Sequence, residues 1–235
     1  MSINHGTLQS PSQWSKIKIK LNRLKGNLMN ADALIFDMDG TLWDSSETVA
    51  ASWNEVLADY GVTEPLTAEK LKTLMGKQLP QIGKELFPNM ETEECIQLIQ
   101  KCCDHEQEVI KKRGGKLYDG LEETLKSLSS HMKLFIVSNC QEGYIEAFFE
   151  FHKLGKYFND YQCAGLAGKT KGENIIDIIS RNNIKSAYYV GDTQIDYEAT
   201  RKACIPFIYA SYGFGEVTNY EYKISAITDL TEMFK

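Results

Sequence analysis

The 235-residue chain has no C-x-x-C pair, only five prolines and no run of about 18 apolar residues. Each shortage removes a class of protein. The six cysteines (Cys95, Cys102, Cys103, Cys140, Cys163 and Cys204) lack zinc-finger spacing and read as free thiols, so neither a disulfide scaffold nor a zinc site is expected. With no apolar span and no signal-like N-terminus, neither a membrane span nor export is expected, and the cytoplasm is the expected compartment. Five Pro and 17 Gly exclude collagen-like and proline-rich architectures. Acid is missing locally too, because residues 1–31 carry Lys16, Lys18, Lys20, Arg23 and Lys25 but no Asp or Glu. The rest of the chain then holds 21 of the 26 basic residues against all 32 acidic ones, a balance of −11. Such a body repels polyanions, so no nucleic-acid partner is expected. Within the basic arm, Ile17, Leu21, Leu24 and Leu28 fall at helical spacing. The stripe predicts a short helix that docks on its own domain or frays, without stable membrane association.

What is present reads as a globular α/β chain, with 43% hydrophobic and 25% charged residues. Short apolar runs recur at Ala33 to Phe36, Leu134 to Val137, Tyr188 to Val190 and Phe207 to Ala210, with a weaker one at Tyr161 to Ala164. Helical patterns separate them: Glu122 to Ser129, Gly143 to Phe151 and Gly172 to Ser180. The alternation predicts a doubly wound parallel sheet with helices on both faces. About a hundred residues separate the first two strands, far more than one crossover needs. Val49, Ala50, Trp53, Val56, Leu57 and Tyr60 trace one helix there, and Leu71, Leu74 and Met75 trace a second. A long third helix is predicted from Glu91 to Arg113, with Cys95, Ile96, Ile99, Cys103 and Ile110 inward and Gly114-Gly115 as its stop. The expected division is a basic arm over 1–30, a catalytic core over 31–45 and 114–235, and an inserted all-helical subdomain over 46–113.

Ligands of an open parallel sheet bind beyond the carboxyl ends of its strands. Those ends carry Asp37-Met38-Asp39-Gly40-Thr41, Ser138-Asn139, and Gly191-Asp192-Thr193 followed by Asp196, while Lys169 and Lys171 precede a helix. One aspartate before glycine is an ordinary turn residue. Carboxylates gathered from several strand ends repel one another unless a cation joins them, and hard oxygen donors suit Mg²⁺.

This set of segments resembles the four motifs of the haloacid dehalogenase superfamily, in its phosphatase branch, and the insert is similar to that superfamily's C1 helical cap in phosphoglycolate phosphatase-like members. The resemblance covers residue 32 to about 230. It implies Asp37 as nucleophile and Asp39 as general acid and base, with Ser138 donating to the phosphoryl group and Lys171 neutralising charge. It also implies a magnesium site of Asp37, Asp39 (through its main-chain carbonyl), Asp192 and Asp196, the last orienting that shell. Lys171, which directly precedes Gly-Glu-Asn-Ile, is preferred to Lys169. Thr41, Asn139, Lys77 and Gln78 are the expected substrate contacts, the last two from the insert. The implied reaction is magnesium-dependent hydrolysis of a small phosphorylated metabolite through an aspartyl phosphate. A sugar phosphomutase of the same fold and a non-catalytic regulatory binding protein are the alternatives. A P-loop reading of Gly168-Lys169-Thr170 fails, because its opening glycine should stand where Cys163 does.

Overall fold

The computed structural model describes residues 29–164 and 168–235, so the predicted helix of the basic arm lies outside the described residues. Its centre is β1 (Ala33–Phe36), all four of whose residues are buried. Burial on both faces is what an uninterrupted apolar run is for. Leu34 and Phe36 enter one core cluster, Ala33 and Ile35 the other.

The chain leaves β1 through a short strand, β2 (Trp43–Asp44), and enters four helices. These are α1 (Ser46–Asp59), α2 (Ala68–Lys72), α3 (Leu79–Leu86) and α4 (Thr92–Arg113). It returns through β3 (Lys116–Leu117), which pairs antiparallel with β2, so both connections of the insert are tied at one place. Gly114 ends α4 with φ of 61°, and a Cβ there would meet the Phe151 ring at 2.3 Å. Only glycine suits both the backbone and the space.

Two details of the insert differ from expectation. The second helix stops at Lys72, and Leu74 and Met75 sit in the turn beyond it. In α4, Ile96 is 38% exposed, while Leu98, Cys102, Glu106 and Val109 are buried. Cys95, Ile99, Cys103 and Ile110 are buried as expected, and the centre of the inward stripe lies about a quarter turn from Ile96.

The core continues with α5 (Leu121–Ser129), β4 (Lys133–Ser138), α6 (Tyr144–His152), β5 (Asp160–Cys163), α7 (Lys171–Arg181) and β6 (Ala187–Gly191). It ends with α8 (Gln194–Ala203), β7 (Phe207–Ala210), β8 (Tyr222–Ile224) and α9 (Leu230–Met233). The six-stranded sheet is parallel throughout, in the order β5-β4-β1-β6-β7-β8. Successive connections therefore leave β1 in opposite directions, which opens a crevice at its carboxyl end. Among the described residues, no helix is long and apolar enough to cross a membrane.

Candidate active site

The register of the sheet assembles the site. Phe36 pairs with Ile136 on one side and Val190 on the other, so Asp37 emerges between Ser138 and Gly191-Asp192. The Asp37 amide donates to the Val190 carbonyl at 2.8 Å, extending the ladder by one residue before the chain turns. Gly40 makes that turn with φ of 80°, and a Cβ on it would lie 2.2 Å from Asp192 Oδ2. No other residue lets the loop pass so close to a carboxylate.

Asp37, Asp192 and Asp196 are all buried, and each offers an oxygen within 4.8 Å of the others. Lys171, at the first turn of α7, lies among them: its Nζ is 2.8 Å from Asp37 Oδ1 and 2.5 Å from Asp196 Oδ1. One ammonium cannot balance three carboxylates. Burial and the neighbouring Asp196 raise the Asp37 carboxyl above its ordinary range, and burial raises Asp192 with further help from Asp196 and Asp37. A divalent cation there would offset that excess charge, and the all-oxygen donor set suits magnesium.

The four aspartates are held differently. Asp192 accepts from the Thr41 hydroxyl at 3.2 Å and from the Phe214 amide at 2.7 Å. Asp196 has both oxygens engaged, one by Lys171 and the other by the Thr193 amide and hydroxyl in a capping box at the start of α8. Asp39 accepts from the Ser45 hydroxyl at 2.7 Å and from the Tyr144 hydroxyl at 2.8 Å. Burial raises its carboxyl, and these two donors only partly oppose that. A carboxyl raised in this way holds its proton to higher pH than a free aspartate, which suits a general acid.

Asp37, Asp39, Ser138, Asn139 and Lys77 line one cavity of about 60 Å³ between the insert and the core. Asn139 Nδ2 donates to the Gly76 carbonyl of the insert at 2.7 Å. Thr41 is not on this wall, since its hydroxyl holds Asp192. Gln78 is also absent from it; its amide donates to the Lys169 carbonyl at 3.2 Å. Lys169 itself pairs with Asp177 at the surface, away from the carboxylate cluster. Lys77 has turned onto Glu85, at 2.6 Å. Cys140 borders the cavity, and burial pushes its thiol up, so it stays protonated.

Three polar residues of this site escaped the sequence reading. Ser45 and Tyr144 hold Asp39, and Glu106 of α4 reaches the same cavity from the insert. The signal for Glu106 was available: it shares a stripe with Ile99, Cys103 and Ile110, where an acid is out of place. Ser45 and Tyr144 carry no such mark.

Comparison with known proteins gives the family and the fold. The model of the family described as haloacid dehalogenase-like hydrolase matches residues 34–210. A phosphoglycolate phosphatase of Agrobacterium fabrum is 27% identical over 204 residues, covering 83% of this chain and 87% of the relative. One from Aquifex aeolicus is 24% identical over 208 residues, covering 85% and 95%. Among solved structures, a predicted phosphatase from Clostridium acetobutylicum superposes with a TM-score of 0.74 at 26% identity, over 87% of this chain and 98% of that one.

Proposed function

Because the chain belongs to the haloacid dehalogenase-like hydrolases, we propose that it is a phosphatase that hydrolyses a small phosphomonoester by attack of Asp37 on phosphorus. The observation that carries the assignment of residues is the placement of Lys171 between Asp37 and Asp196, with Asp37 itself lining a cavity that Asp39 and Ser138 also reach. Residues 46–113 are taken as the cap, 31–45 and 114–235 as the catalytic core.

In this reading an Asp37 oxygen bonds to phosphorus while the ester P–O bond breaks, and the departing oxygen takes the proton of the Asp39 carboxyl. Asp39, now ionised, accepts a proton from water as the water oxygen attacks phosphorus and the Asp37–phosphorus bond breaks. Inorganic phosphate leaves and Asp37 is restored. Ser45 and Tyr144 hold the Asp39 carboxyl in place through both steps. Ser138 donates to a phosphoryl oxygen, and Lys171 balances charge that moves between carboxylate and phosphate. Magnesium would be held by Asp37, Asp192 and the main-chain carbonyl of Asp39, where it neutralises the carboxylates and polarises the phosphoryl group. Asp196 keeps Lys171 aimed at Asp37.

The test is phosphate release from a panel of small phosphomonoesters, with Mg²⁺ and with EDTA. Release that requires the cation is expected, and mass spectrometry of rapidly quenched protein should place a phosphoryl group on Asp37. Asp37→Asn should reduce turnover to background, whereas Asp39→Asn should slow it by roughly 10²- to 10⁴-fold, the share of general acid-base catalysis. Normal turnover in Asp37→Asn, or phosphate on another residue, overturns the mechanism.

A further inference from the structure

The cap wall of the cavity poses a chemical demand that the core motifs do not answer. Glu106 is 3% exposed, and its carboxyl oxygens accept from the Trp53 indole N–H at 2.5 Å and the Gln141 amide at 3.0 Å. Both donors are neutral, and among the described residues no cation pairs with it. Nearby, Asn139 Oδ1 is buried without a hydrogen-bond partner. Both residues line the cavity that holds Asp37 and Asp39. Lys77, the one cation on that wall, is occupied by both oxygens of Glu85, at 2.6 and 2.8 Å. The rest of the cap face is apolar, contributed by Val49, Trp53, Leu71, Leu79 and Ile82.

A buried acceptor without a donor, as Asn139 Oδ1 is, costs free energy until one reaches it; a buried carboxyl held only by neutral donors gains from a further one, and an anion brought against either costs more. Resting on the phosphatase reading above, we propose that Glu106 sets leaving-group specificity: with Asn139 it receives a hydroxyl or ammonium donor at the far end of the leaving group and rejects a carboxylate there. Burial pushes the Glu106 carboxyl up to about 8, so negative charge, on Glu106 or on an incoming carboxylate, is disfavoured in this pocket until a cationic donor enters. A volume of about 60 Å³ restricts the leaving group to a few heavy atoms while the cap is seated. The preferred substrates thus differ from the phosphoglycolate named for the relatives, whose leaving group ends in a carboxylate.

The experiment compares kcat/KM for ethyl phosphate, 2-hydroxyethyl phosphate, 2-aminoethyl phosphate and phosphoglycolate, each divided by the ethyl phosphate value. In the wild-type protein the hydroxyl or amino ester should exceed phosphoglycolate by at least about tenfold, the scale on which buried polar groups discriminate. Glu106→Gln should reduce that ratio at least about tenfold if the donor is an ammonium. If it is a hydroxyl, Glu106→Gln retains an acceptor and Glu106→Leu makes the reduction. Which ester leads in the wild type decides between the two donors. Phosphoglycolate leading in the wild type, or ratios unmoved in both variants, overturns the proposal, and the wild-type ranking needs no variant to fold. Failure to hydrolyse any of the four overturns the phosphatase reading and this inference with it.

Discussion

Asp37 and Glu106 face one cavity from opposite sides, and the protein treats the two buried carboxyl groups differently. Asp37 has an ammonium 2.8 Å away and two further carboxylates close enough to share a cation with it. Glu106 has an indole and an amide. The core side carries an ammonium of its own, which a bound cation would complement, and none of its groups depends on the leaving group. The cap side leaves its compensation to whatever enters, so that side is where selection between substrates arises.

The contrast breaks most completely at Lys171. Replacing it by Met leaves Asp37 and Asp196 buried without their cation, and breaking a buried pair in this way costs about 3–5 kcal/mol. Urea unfolding of Lys171→Met should show that loss. Added Mg²⁺ should recover part of it in the variant, and recovery should vanish when Asp192 is also changed to Asn. Unchanged stability would mean that Lys171 is not what balances the cluster.

A pH dependence sharpens the cap side. The Glu106 carboxyl has its ordinary value of 4.5 in the unfolded chain and is raised to about 8 in the fold. Below 4.5 both states are protonated; between 4.5 and about 8 only the unfolded chain has released the proton; above about 8 both have. Stability is therefore lost as pH rises across that window. Glu106→Gln removes this contribution, so the difference in unfolding free energy between variant and wild type should grow by on the order of 4 kcal/mol from pH 4.5 to 8. Parallel curves would show that the group is ionised in the fold. The least effect is expected at Lys77, whose bond to Glu85 is partly exposed. Lys77→Ala should change the unfolding free energy by less than about 1 kcal/mol.

The same division explains what the sequence made legible. Strand ends concentrate chemistry in short contiguous motifs, so Asp37, Ser138, Lys171 and Asp192 were found from spacing and resemblance, and the parallel sheet from its apolar runs. The strand at Tyr222–Ile224 went unnoticed because it is short and only Ile224 is fully buried. The β2–β3 pair was missed for a similar reason, being two residues on each side. In the insert, periodicity gave the long helix and most of its inward face. Glu106 lies on the same stripe as Ile99, Cys103 and Ile110, but only apolar and thiol side chains were placed in that stripe, so Ile96 was included and Glu106 passed over. Ser45 and Tyr144 meet only through tertiary packing, 99 residues apart in the chain, and no local pattern announces such a pair.

The seating of the cap has a consequence for descent. Asn139 to Gly76, Gln78 to Lys169 and Gln107 to Glu142 each join a side-chain amide to a main-chain carbonyl across the boundary. A carbonyl belongs to every residue type, so mutation at the accepting positions leaves the acceptor in place. Apart from Glu106, which Gln141 of the core holds, the insert side chains on the cavity wall can change while these three ties remain, so new specificities become accessible by single substitutions without a detour through a loosened enzyme.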